Sequence, residues 1–169
     1  MNTNCRRLLG LALIAAVIAL PACKKAAERV TEAAIEHATG ARVDKDGNAM
    51  TIKTEKGDVK IVSADASGNV ALPAGFPSDI YLPGERKVAS VVDMAGMQMV
   101  NLTAPGAIGE LYAEADKAMQ GGGWKREMAM QSNDGSTLMF SKDKRQVFYQ
   151  LVKADGGGTQ LAIRTGTNE

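Results

Sequence analysis

Thiols are nearly missing from this chain. Its 169 residues include two cysteines, Cys5 and Cys23, both close to the amino terminus. Everything after Cys23 can therefore form neither a disulfide nor a zinc–thiolate centre, and must draw its stability from core packing. Histidine occurs once, at His37 in an alanine-rich stretch, which supplies neither a Ser-His-Asp triad nor an ordinary zinc site. Aromatic residues are few, with one Trp, three Tyr and three Phe, so the core is modest. Charge of one sign is also lacking, since 20 basic side chains meet 19 acidic ones. That balance excludes the basic field that nucleic acid binding needs. Nor is there an apolar run of membrane-spanning length: Leu8 to Leu20 comprises 13 residues, about 20 Å of helix against a hydrocarbon core of about 30 Å.

That run is flanked by Arg6 and Arg7 before it and by Leu20-Pro21-Ala22-Cys23 after it. A basic start, a short apolar stretch and a small residue at a cut site are the layout of a secretory signal, assigned here to residues 1–22. Leu20-Pro-Ala-Cys23 resembles the lipobox of bacterial lipoproteins. The resemblance implies cleavage before Cys23 and diacylation of its sulfur, with palmitate-type chains inserted in a membrane facing the periplasm. Two or more acyl chains hold stably where one does not. Lys24 and Lys25 follow the cysteine, where lipoproteins retained on the inner membrane often carry Asp. The resemblance thus favours the periplasmic side of the outer membrane.

Residues 23–40 comprise the lipidated terminus and a membrane-proximal helix. Lys24 to Thr39 lacks Pro and Gly, carries a weak apolar stripe at Ala26, Val30, Ala33 and Ile35, and stops at Gly40. Residues 41–72 form a β-hairpin segment, with period-two alternation over 49–54 and 58–62 around Glu55-Lys56-Gly57. Residues 73–86 are a Pro- and Gly-rich connector in which Phe76, Ile80 and Tyr81 are too apolar for a free linker. The last segment, 87–169, reads as strands near 87–94 and 97–103, a helix over 107–120 ended by Gly121-Gly122-Gly123, and strands near 124–131, 136–142, 146–153 and 159–164. The expected fold class is α+β, an antiparallel sheet with one helix packed across it in the order ββαββββ.

Several shared landmarks give the chain a resemblance to a group of small bacterial envelope lipoproteins. They are Ala38-Thr-Gly40, the hairpin Ile52 to Ile61, Leu72-Pro-Ala-Gly-Phe-Pro-Ser-Asp79, Tyr112, Gly123-Trp124 and Gly157-Gly-Thr159. This likeness implies an envelope location and no particular activity.

Two clusters are candidates for binding. Asp44, Asp46, Asn48 and Glu55 fall at positions 1, 3, 5 and 12 of an EF-hand-like calcium loop, although Ala49 stands where that loop needs Gly and strand-like alternation follows. The competing reading is a polar turn at Asp46-Gly-Asn48 leading into the hairpin. Met94, Met97 and Met99, with Met128 and Met130 later, offer thioethers that suit Cu(I). They equally suit an adaptable packing or partner-binding face on which Met97 and Met99 sit together. The acids Glu110, Glu114 and Asp116 read as the wet side of the helix, and no catalytic constellation is present. The sequence therefore points to a membrane-anchored, non-catalytic module with no cofactor, binding an envelope protein or other envelope component. A calcium- or copper-binding lipoprotein is the alternative.

Overall fold

The structure is a computed structural model that describes residues 42–54, 57–65, 68–132 and 134–167. The proposed signal, Cys23, the membrane-proximal helix, His37 and Glu55 lie outside the described residues. Nine strands follow one another: β1 (Arg42–Asp46), β2 (Ala49–Thr54), β3 (Gly57–Ser63), β4 (Lys87–Met94), β5 (Met97–Ala104), β6 (Lys125–Gln131), β7 (Gly135–Lys142), β8 (Arg145–Lys153) and β9 (Thr159–Thr167). A single helix, α1 (Ile108–Gly121), separates β5 from β6. All nine strands join one sheet in the order β1-β2-β3-β4-β5-β9-β8-β7-β6, antiparallel throughout.

This corrects the expected α+β class: among the described residues the fold is largely β, with one 14-residue helix as an accessory to nine strands. Two pairings cause the difference. Residues 42–46 extend as a strand against β2, with Asp44 opposite Thr51 and Asp46 opposite Ala49. Then β3 pairs with β4 from Val59↔Met94 to Ser63↔Ser90, which carries the sheet straight across the connector. Segments 41–72 and 87–169 thus share one sheet.

Nine strands at about 4.8 Å spacing make a sheet close to 40 Å wide, while a helix is about 10 Å across. One helix cannot roof it. Accordingly α1 lies over β6, β7 and β8, and the stretch from Val70 through the connector covers the core from β4 onward, leaving Asp44, Asp46, Lys53, Asp58 and Lys60 of β1–β3 exposed. Val70, Leu72, Phe76, Tyr81 and Leu82 pack there against a core that includes Val100, Leu102, Leu138, Phe140, Val147, Leu161 and Ile163.

Local chemistry sets the ends of α1. The Ala107 N–H donates to Glu110 Oε2 at 3.1 Å, which satisfies one orphan amide of the first turn. At the other end Gly123 takes φ +80°, Gly123 N–H donates to Gln120 O at 3.0 Å and Trp124 N–H to Met119 O at 3.0 Å. That pair of bonds is a Schellman stop, and the left-handed residue in it favours glycine. Gly158 is required for a different reason. With φ +78°, a Cβ there would lie 2.5 Å from Ala104 O.

Candidate functional site

Alternation along the strands assigns each side chain to one of two faces. The core face under α1 and the connector receives Val91, Val100, Leu102, Leu138, Phe140, Val147, Tyr149, Leu161 and Ile163, all fully or nearly fully buried. The second face is different. One row of directly opposed residues crosses all nine strands: Lys45, Met50, Ile61, Val92, Met99, Arg164, Phe148, Met139 and Met128. Beside it run Ile52, Val59, Met94 and Met97, again opposed strand to strand. Met130 lies opposite Thr137 on the same face.

Most of these apolar side chains are half-buried, and Met97 and Met130 are 39% and 63% exposed. Neither α1 nor the connector reaches this side, since both pack on the core face. Among the described residues the second face is an uncovered surface of Met, Ile, Val and Phe, divided by the column Gln160, Ala162, Arg164 and Gly166 of β9. Met97 and Met99 are thus brought to one face together, with Met94 directly opposite Met97.

Asp44, Asp46 and Asn48 are not assembled into a calcium loop. A two-residue turn at Gly47 and Asn48, with Gly47 at φ +57°, joins β1 to β2 as a tight hairpin. Asp44 already has a cation, Lys53 Nζ at 3.0 Å. Among the described residues no group of three or more His, Cys, Asp or Glu side chains is placed to hold a metal ion. The acids of α1 are likewise engaged. Tyr81 donates to Glu114 Oε2 at 2.6 Å and Arg126 to Asp116 Oδ2 at 2.7 Å.

A second cluster, which the sequence did not single out, centres on Asp79 in the connector. Its carboxylate accepts Arg145 Nη1 and Nη2 at 2.8 Å each and Lys142 Nζ at 3.3 Å. Its backbone carbonyl accepts the Trp124 indole N–H at 3.1 Å. The Arg145 guanidinium lies over the Trp124 ring, 4.7 Å from the centroid. The hydrogen bonds from Arg145 hold the Asp79 carboxyl at about pKa 2, against a smaller opposing effect of burial. One turn onward the buried Tyr149 hydroxyl lies 3.0 Å from Tyr81 O and 3.2 Å from Met119 Sδ. Burial pushes the Tyr149 phenol far above its ordinary range. These contacts fasten the connector onto the core. In doing so they join two of the sequence landmarks, Phe76-Pro-Ser-Asp79 and Gly123-Trp124.

Comparison with family models, with characterised proteins and with solved structures gives no match. No described helix is long and apolar enough to cross a membrane.

The chemistry of the two clusters differs. The Asp79 clamp is a satisfied ion pair beside a buried indole, with its donors and acceptors spent on one another. The second face presents a row of thioether, aliphatic and phenyl groups interrupted by Arg164 and flanked by polar side chains such as Asn101 and Gln150, so a partner laid along the row meets apolar surface with hydrogen-bonding groups within it and at its margins.

Proposed function

We propose that the protein is a bacterial lipoprotein held by lipid on Cys23 at the periplasmic side of the outer membrane, where it acts as a non-catalytic module that docks an envelope protein. The docking surface is the second face of the sheet from Met97 and Met99 across to Phe148, Met139, Met128 and Met130. One observation carries the docking part: an apolar, methionine-rich row without a described cover, on the side of the sheet opposite the buried core. Contiguous exposed apolar patches mark interaction sites more often than single exposed residues do. Methionine fits such a role because its unbranched, polarizable side chain adapts to the shape opposite. The anchoring part is supported by Leu20-Pro-Ala-Cys23 at the end of a short apolar run.

Each part has its own test. Cys23→Ala should abolish incorporation of labelled palmitate and release the chain from the membrane fraction; retention of mature-length protein in that fraction would end the anchoring claim. For docking, Met97→Asp with Met99→Asp should abolish co-purification of a defined partner from crosslinked cells while leaving the urea midpoint nearly unchanged. Equal recovery by wild type and the double variant would end the docking claim.

A further inference from the structure

Arg164 interrupts the apolar row at β9. It stands directly opposite Met99 of β5 on one side and Phe148 of β8 on the other, about 4.8 Å away in each direction. Val92 and Met139 follow one strand further out. Along β9 its neighbours on the same face are Ala162 and Gly166, which carry at most a methyl group. Arg164 is exposed, while Met99, Phe148, Val92 and Met139 are half-buried.

Among the described residues this guanidinium makes no hydrogen bond, ion pair or ring contact. Nor does the face offer it a free acid. Glu127, on the edge strand β6, is the one carboxylate that the described strands carry there, and Lys125 and Ser141 already hold it. The polar side chains nearest Arg164 in register, Asn101, Gln146 and Gln150, are neutral. The remaining cations of the face lie at its margins: Lys45 on the edge strand β1, Lys87 at the start of β4 and Lys125 on β6.

A partner that covers the row takes Arg164 out of water. A cation desolvated without a counter-ion is strongly unfavourable, so a wholly apolar partner is rejected at this point. A carboxylate placed there reverses the balance, because the planar guanidinium donates two parallel hydrogen bonds to it. Met99 and Phe148 on either side then exclude water around the pair.

We infer that the partner is a protein surface bearing one Asp or Glu side chain within an apolar patch, and that this carboxylate pairs with Arg164. The inference rests on the docking reading above and names what that partner must carry. Two other occupants fit less well. A second copy of the chain brings the same face, whose one described carboxylate is engaged at the β6 edge. An anionic bilayer attracts clustered cations, and here the lysines are spread over the width of the sheet with one of them paired.

The test uses the full chain in intact cells, with a photo-crosslinking residue at Met99 to report docking whatever the partner's charge. A protein adduct of defined mass is expected. In the same background Arg164→Met should reduce that adduct by at least about tenfold, while Arg164→Lys keeps most of it. Adduct kept or increased by Arg164→Met would overturn the inference and leave docking standing. No adduct at Met99, an adduct to lipid, or one of twice the chain mass would overturn both. As an independent readout, Arg164→Lys without the photo-crosslinker should be joined to the same partner by a carbodiimide, which links an amine only to a carboxylate in contact with it. Peptide mass spectrometry should place that link on an Asp or Glu. Failure of the carbodiimide link where the Met99 adduct forms would also overturn the inference. Arg164 is exposed, so both variants should keep the wild-type urea midpoint.

Discussion

Substituting Asp79→Asn separates the role of the connector clamp from the rest of the fold. In the native protein the Asp79 carboxyl titrates at about 2 where the ordinary value is 3.8. At about 1.4 kcal/mol per pKa unit the full difference approaches 2.5 kcal/mol. The carboxylate is 34% exposed, with Arg145 and Lys142 similarly placed, and solvent screening reduces the expected contribution to about 1 kcal/mol. The sign follows from linkage: a carboxyl whose pKa falls on folding stabilises the fold fully above about pH 4, and the contribution is lost as pH drops toward 2. Urea denaturation followed by fluorescence of Trp124, the only tryptophan and 2% exposed beneath Arg145, reads the result. At pH 7, Asp79→Asn should cost about 1 kcal/mol, and between pH 4 and 2 it should lose correspondingly less than wild type. Glu127 is also lowered, first by its hydrogen bond from Ser141, so the difference between the two proteins is the informative quantity. A double-mutant cycle with Arg145→Gln should give coupling of about 0.5–1 kcal/mol. Superimposable acid profiles, or coupling near zero, would refute the clamp.

Other substitutions probe the same account at different points. Tyr149→Phe removes the buried hydroxyl that donates toward Tyr81 O and Met119 Sδ, and should cost about 1–3 kcal/mol by urea titration. Gly158→Ala meets both a positive φ and a Cβ position 2.5 Å from Ala104 O; it should lower stability by more than about 1 kcal/mol, seen as a drop of several degrees in Tm. Met130→Ser, at a side chain 63% exposed, should change stability by less than about 0.5 kcal/mol while weakening capture of the partner.

The local elements were legible because their signals are local. Apolar residues at helical spacing and the glycines after Gln120 mark α1, and alternation marks the strands from Lys87 onward. β1 was missed because Asp44 and Asp46 occupy its polar side, and acids in sequence beside Gly47 read as a loop. The continuity of β3 with β4 was hidden since the partners are separated by the connector, and strand pairing over that distance leaves no periodic trace. Contacts such as Asp79 with Arg145, 66 residues apart, have the same origin. Met97 and Met99 were legible as a pair because residues two apart in a strand share a face. The uncovered row they belong to depends on the sheet order, in which β9 returns to pair with β5, and no single strand carries that information.

The docking face can be tested most directly by a photo-crosslinking residue introduced at single positions in intact cells. Substitutions at Met97, Met99, Met139 and Met130 sample the second face, and Lys117 on α1 with Lys60 on the charged side serve as controls. The account predicts adducts of one common mass from the second-face positions and none from Lys117 or Lys60. Adducts confined to Lys117, or no adduct from any second-face position, would contradict it.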